Sequence, residues 1–173
     1  MNIQLFPLRE EETIAFKEEM QEAFQQGFQA HFPNEEGNNQ WQVLPNKDFY
    51  QSLNAVGAEA YEALAADGQR VGGAIIVIKA DEHRGELAFL FVKVGVQSKG
   101  IGQTIWKAIE AMHPETKIWE TCTPYFDRRN IHFYINRCGF HAVEFFNEHH
   151  PDPNMPEQFD QEDGLFKFEK VMK

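Results

Sequence analysis

The sequence predicts an α/β protein, a mixed sheet of seven strands with helices on both faces. Three observations lead there. Segments with helical apolar spacing and short apolar runs follow one another in the order β α α β β β α β α β β. Three consecutive strands joined by short turns precede a single strand–helix–strand crossover, so antiparallel and parallel pairs belong to one sheet. The chain has 173 residues, 42% of them apolar and 16 of them Phe, enough core for one domain spanning residues 1–173.

Ile3, Leu5 and Leu8 open the chain as a strand closed near Pro7. Glu10 to Phe28 reads as a helix, because Phe16, Met20, Phe24 and Phe28 recur every four residues as one stripe. Glu11 and Glu12 stand in its first turn, where the helix dipole favours acids. A polar loop from Pro33 to Pro45 follows, then a short helix from Asn46 to Val56. Asn46 is its expected cap, with Phe49, Leu53 and Val56 on one face. Tyr61 to Ala66 is a weak strand, Asp67-Gly68 a hairpin turn and Val71 to Ile78 its partner. Lys79 to Gly85 turns the chain into the near-continuous apolar strand Glu86–Val94.

Gln97-Ser98-Lys99-Gly100-Ile101-Gly102 then leads into a helix ending at Met112, apolar at Ile101, Ile105, Ala108 and Ile109. Lys117 to Thr121 is the next strand, and Thr123 to Phe126 a loop. Arg128 to Cys138 is a helix ended by Gly139, with Ile131, Tyr134, Ile135 and Cys138 apolar. Phe140 to Phe146 is a strand, a polar insertion with three prolines follows, and Leu165 to Met172 closes the sheet.

The formal net charge of −11 argues against nucleic acid and against an anionic membrane surface as partners. It suits a cationic substrate such as an amine, and equally a protein that is simply acidic for solubility. No apolar run is long enough to span a membrane, and MNIQLFPLREEE is unlike a signal peptide, so a cytoplasmic location is expected. Cys122 and Cys138, set among apolar residues, read as buried free thiols. Adjacent His149 and His150 near Asp152 lack further clustered ligands, so no metal site is expected. Oligomeric state is not legible, and a homodimer stays open.

The strand–turn–helix at Gln97–Gly102 is the feature that points to chemistry. A helix start leaves its first N–H groups without intrahelical acceptors and carries partial positive charge. Glycine there admits a ligand close to the backbone. The sum is a cradle for a phosphate or pyrophosphate.

Gln97-x-x-Gly100-x-Gly102 at such a junction resembles the acetyl-coenzyme A loop of the GNAT family of N-acetyltransferases. Downstream, Asn130 to Phe140 resembles that family's Asn, aromatic-Tyr, Gly-Phe segment, and the element order is similar along nearly the whole chain. The resemblance implies a GNAT-like acyl-CoA N-acyltransferase fold and the transfer of an acetyl group from acetyl-CoA to a primary amine by direct attack in a ternary complex. It places the pyrophosphate on Gln97, Ser98, Lys99, Gly100, Ile101 and Gly102 and the turn through Gln103 and Thr104. The pantetheine arm would pair with Val92 and Val94 where strand Glu86–Val94 parts from strand Lys117–Thr121, and Asn130 joins the cofactor set. The sequence departs from the family at two points. Val94 stands where many members have Pro, and Tyr134 precedes Gly139 by five residues where many have four.

Acetylating an amine requires loss of the ammonium proton, stabilisation of the carbonyl oxygen and a proton for the leaving thiolate. Glu86, at the start of the central strand, is the first candidate base, and Glu120, which interrupts an apolar strand, is the second. Tyr134 is the candidate acid. The acceptor would be a small molecule or a peptide amine. The competing reading is a non-catalytic acetyl-CoA-binding sensor or interaction module of the same fold. A dinucleotide oxidoreductase fits less well, because Ile105 stands where the third glycine of G-x-G-x-x-G belongs.

Overall fold

A computed structural model describes residues 2–31, 42–96, 100–153 and 164–173. The seven strands are β1 (Ile3–Pro7), β2 (Ala58–Ala65), β3 (Arg70–Lys79), β4 (Arg84–Val92), β5 (Ile118–Pro124), β6 (His141–Phe146) and β7 (Leu165–Val171). The α-helices are α1 (Thr13–His31), α2 (Asn46–Leu53), α3 (Ile101–Met112) and α4 (Arg128–His132). Hydrogen-bonded neighbours run β1-β2-β3-β4-β5-β7-β6. β1 and β2, and β2 and β3, pair antiparallel, whereas β4 and β5 pair parallel. The sheet is therefore mixed, as expected. By its contacts the chain forms two compact units, residues 1–78 with 87–114, and residues 79–86 with 115–173.

In the first unit the helical stripe does what its spacing demands. Phe16 and Met20 are fully buried and join Leu44, Phe49, Ile75 and Phe91, with Phe24 and Phe89 packed alongside. Phe16 meets Phe91 edge to face at 5.3 Å between centroids. Glycine makes room for it: a Cβ on Gly73 would fall 2.4 Å from the Phe16 ring. β2 is longer than its Ala-rich sequence suggests, because pairing with β1 on one side and β3 on the other overrides weak intrinsic propensity.

Several expectations are corrected. Pro45, not Asn46, caps α2, and the Asn46 Oδ1 instead accepts from Gln21 Nε2 at 2.8 Å. Val56 lies past the end of α2 and is 97% exposed, so it shares no buried face with Phe49. Glu10–Glu12 form a 3-10 turn that precedes α1. β5 runs on to Pro124, because β7 pairs with all seven of its residues. The polar loop before Pro45 and the insertion before Leu165 lie largely outside the described residues.

A charge network centred on the buried Glu62, illegible in the sequence, crosses the first unit. Glu62 is fully buried and accepts from Arg9 Nε at 2.9 Å and from Arg70 Nη1 at 2.6 Å. Arg70 also pairs with Glu19, which takes Lys93 Nζ at 3.1 Å. Burial pushes the Glu62 carboxyl up, but the two guanidinium groups outweigh it and leave it below its ordinary 4.5. That stability is present above 4.5 and is lost as pH falls through the lower folded value. Arg70→Met removes the ion pairs to Glu62 and Glu19 but leaves them to Arg9 and Lys93, so it should cost about 2 kcal/mol in urea denaturation at pH 7. Glu62→Gln should flatten the loss of stability in acid seen for the unmodified chain.

Candidate active site

The end of β4 and the start of α3 lie in the first unit. Val92 is the last residue of β4, two positions short of the expected strand end, and Val94 stands in a turn closed by Val96 N–H on Lys93 O at 3.2 Å. Gln97, Ser98 and Lys99 lie outside the described residues. Gly100 is the N-cap of α3 with φ 85°, the left-handed region that glycine enters without a Cβ clash. A Cβ built there would meet nothing within 4 Å, so the backbone at the helix start borders open space. Ile101 and Gly102 are buried in the first turn, Gln103 is half-buried and Thr104 exposed. Thr104 returns both its N–H and its Oγ1–H to the Gly100 carbonyl, at 2.9 Å each. The turn thus has the left-handed glycine and the helix start of an anion cradle. The unit also holds a pocket of about 370 Å³ lined by Leu8, Glu10, Leu53, Glu59 and Tyr61 among others, which contains none of these residues.

The two candidate carboxylates lie in the second unit, and the register brings them together. β4 and β5 pair in parallel over Arg84–Ile118, Gly85–Trp119 and Glu86–Glu120. Beyond that pair β4 continues to Val92 and β5 to Pro124. Alternation along β5 buries Trp119, Thr121 and Thr123 and leaves Glu120 and Cys122 on the more open face, with Glu86 beside Glu120.

Their surroundings differ. Glu120 takes Lys79 Nζ at 2.9 Å, Arg84 Nη2 at 3.4 Å and Lys167 Nζ at 3.5 Å. Partial burial works to raise its pKa, yet Lys79 first, then Lys167 and Arg84, bring it below the ordinary value. Glu86 is half-buried and accepts no hydrogen bond among the described residues. Desolvation holds its carboxyl above the ordinary value, opposed by Lys79 and Lys167 and assisted by Glu120. An unpaired carboxylate with a raised pKa suits a base; one ringed by three cations does not.

Cys122 is exposed, not buried as expected, since it shares the open face with Glu120, whereas Cys138 is buried. Crowding around its sulfur, then the negative charges of Asp152 and Glu86, raise its thiol pKa, leaving little nucleophilic thiolate.

The opposite face of β5 carries the candidate acid. Tyr134 is 7% exposed and packs against Phe140 at 5.7 Å and Phe168 at 6.0 Å. Its phenol is hydrogen-bonded to Thr121, the buried β5 residue that pairs with Phe168. Desolvation pushes its pKa upward, so it keeps its proton at neutral pH. The expected helix Arg128–Cys138 is α-helical only to His132; Phe133–Arg137 form a π turn in which Cys138 N–H reaches Phe133 O at 3.0 Å. A π turn takes up one extra residue without ending the helix. Gly139 still ends it, at φ 85°. Asn130 points its amide at the cap of this helix: its N–H and its Nδ2 donate to the Asp127 carboxylate at 3.1 and 2.8 Å. His149 and His150 are exposed and sit beside Glu148 and Glu144, and no cluster of three metal-ligating side chains forms among the described residues.

The chain is a mixed seven-stranded sheet with a left-handed glycine at the helix start after its central strand. Residues 14–140 match the model of the Acetyltransferase (GNAT) family, and the chain belongs to that family. YrkN, an uncharacterized protein of Bacillus subtilis, is 40% identical over 172 residues, covering 95% of this chain and 91% of that protein. Among solved structures, a GNAT family acetyltransferase from Elizabethkingia anophelis with acetyl-CoA bound superposes at a TM-score of 0.69 with 15% identity, covering 99% of each chain. Spermidine N-acetyltransferase from Vibrio cholerae, in complex with CoA and spermine, gives 0.67 with 11% identity over 98% of this chain and 95% of that one.

Because nothing crowds the missing Cβ of Gly100, substitution there is penalised by backbone conformation alone. Gly100→Ala should lower stability by about 1–2 kcal/mol in thermal unfolding, and Gly100→Asn, which tolerates the left-handed region, by less.

Proposed function

We propose that residues 1–173 act as one N-acetyltransferase domain that moves an acetyl group from acetyl-CoA to a primary amine by direct attack in a ternary complex. The acceptor is a small molecule or a peptide amine. Support for the cosubstrate comes from family membership, from the acetyl-CoA-bound relative of the same fold and from the left-handed Gly100 opening onto free space at the start of α3. The residues that would hold it are Val92, Val94, Gln97, Ser98, Lys99, Gly100, Ile101, Gly102, Gln103 and Thr104, with Asn130. When bound it supplies an activated acyl carbon and a thiolate leaving group. The spermine-bound relative and the net charge of −11 support a cationic acceptor.

The observation that carries the mechanism is the division of labour across β5. Glu86 stands on the open face with no direct partner among the described residues, and Tyr134 holds its proton on the opposite face against Thr121. In this reading Glu86 takes the proton from the acceptor's ammonium, directly or through water, and the freed nitrogen becomes the nucleophile. As the C–N bond forms and the C–S bond breaks, Tyr134 Oη would protonate the departing thiolate, and the second proton, shed by the acylated nitrogen, would return through water to restore the phenol. Proton removal and delivery from opposite sides of one strand need no covalent enzyme intermediate, which agrees with the raised thiol pKa of Cys122.

Incubation with acetyl-CoA and a panel of primary amines, reading free thiol, tests the reading. Release is expected with at least one amine class, and Glu86→Gln should lower kcat/KM by about 10²-fold or more with cosubstrate affinity kept. The rate should rise with pH through a value above 4.5, since the base must be ionised and its folded pKa is raised. Tyr134→Phe should lower kcat with cosubstrate affinity intact. Tight acetyl-CoA binding without release across the panel would favour a sensor instead.

A further inference from the structure

We propose that Glu120 is a positioning residue for the base: it gathers Lys79, Arg84 and Lys167 into ion pairs with itself, so that none of the three pairs directly with Glu86 and its carboxylate stays open to the acceptor's proton. This rests on the reading of Glu86 as the base. The two carboxylates are register partners on strands about 4.8 Å apart, the ordinary strand spacing. A cation within reach of one is therefore near the other. Each of the three cations makes its contact with Glu120, at 2.9, 3.4 and 3.5 Å. Arg84 is further anchored by Glu169 at 2.7 Å.

The charges that act on Glu86 are Lys79 at the end of β3, Glu120 on β5 and Lys167 on β7, with Cys122 of β5 also within its field. Arg84 at the start of β4 pairs with Glu120 and with Glu169 of β7, and Asp152, after β6, acts on Cys122. Lys79, Arg84 and Lys167 oppose Glu120 and Glu169, three positive charges against two negative. Losing Glu120 leaves three against one and frees Lys79, whose field already reaches Glu86, to pair with it. Losing Lys79 leaves Glu120 still held by Arg84 and Lys167 and takes a cation from the field at Glu86. The two substitutions must move the ionisation of Glu86 in opposite directions.

The test is a carboxyl-carbon NMR titration of the full chain labelled with ¹³C-glutamate, with the Glu86 signal assigned by its loss in Glu86→Gln. Glu120→Gln should move the Glu86 midpoint down by about one pH unit, a tenfold change in proton affinity, and Lys79→Met should move it up. The acidic limb of the rate profile should move in the same directions with any amine that releases thiol. Midpoints that stay in place, or that move the same way in both variants, overturn the proposal. A residue that only braced the sheet would lower the melting temperature and leave the midpoint unmoved. If Glu120→Gln does not fold, Glu120→Asp, which keeps the charge but shortens its reach to the three cations, takes its place: a downward shift of the Glu86 midpoint supports the proposal and none overturns it. Unchanged turnover in Glu86→Gln would overturn the base reading and the clamp's role with it. Lost turnover there with unmoved midpoints would overturn the clamp only.

Discussion

Parallel pairing of Glu86 with Glu120 puts two carboxylates side by side on neighbouring strands, an arrangement that like-charge repulsion opposes. The surrounding elements answer that repulsion unevenly. β3 ends in Lys79, β4 begins with Arg84, and β7, inserted between β5 and β6, brings Lys167 opposite Cys122 and Glu169 opposite Glu120. All three cations bind Glu120. Had they been shared evenly, both carboxylates would be salt-bridged and neither would be a useful base. The uneven answer makes Glu120 a fixed anion and leaves Glu86 without an ion pair among the described residues, as the proposed base requires.

The first unit shows the contrasting solution. Glu62 is fully buried, yet Arg9 and Arg70 saturate it, and the chain of contacts continues through Glu19 to Lys93. A carboxylate so well satisfied is held in its charged form and braces helix against strand. Glu86 is less buried and less satisfied, and its pKa moves the other way. Burial alone does not mark a reactive group; burial without a counter-charge does.

Legibility in the sequence followed the range of the interactions. The stripe Phe16–Met20–Phe24, the Asp67-Gly68 turn and the helix ending at Met112 rest on local spacing, and the structure contains them. The glycine turn at a helix start was legible for the same reason, though the left-handed φ of Gly100 came only with the structure. Elements that depend on distant partners were not. β5 extends to Pro124 because β7, more than 40 residues later, pairs along it. The exposure of Cys122 follows from the face its neighbour Glu120 takes, which an apolar run in sequence cannot reveal. The separation of Glu86 from Glu120 was invisible for a sharper reason. Both are acids on strands, and what distinguishes them is the aim of three side chains from three other segments.

The helix after β5 shows how a count of residues can mislead in the other direction. Five residues separate Tyr134 from Gly139, one more than in many members of the family. In an unbroken α-helix that extra residue would turn the relative direction of two side chains by about 100°. The π turn over Phe133–Arg137 takes up the surplus instead: Cys138 N–H bonds five residues back to Phe133, and Phe140 N–H reaches Tyr134 O at 2.9 Å. The wider turn lets Gly139 end the helix and Phe140 return to the core while the Tyr134 phenol stays on Thr121. The local winding of the backbone thus accommodates both ends of the segment at once, the Tyr134 phenol against the buried face of β5 and Phe140 in the core.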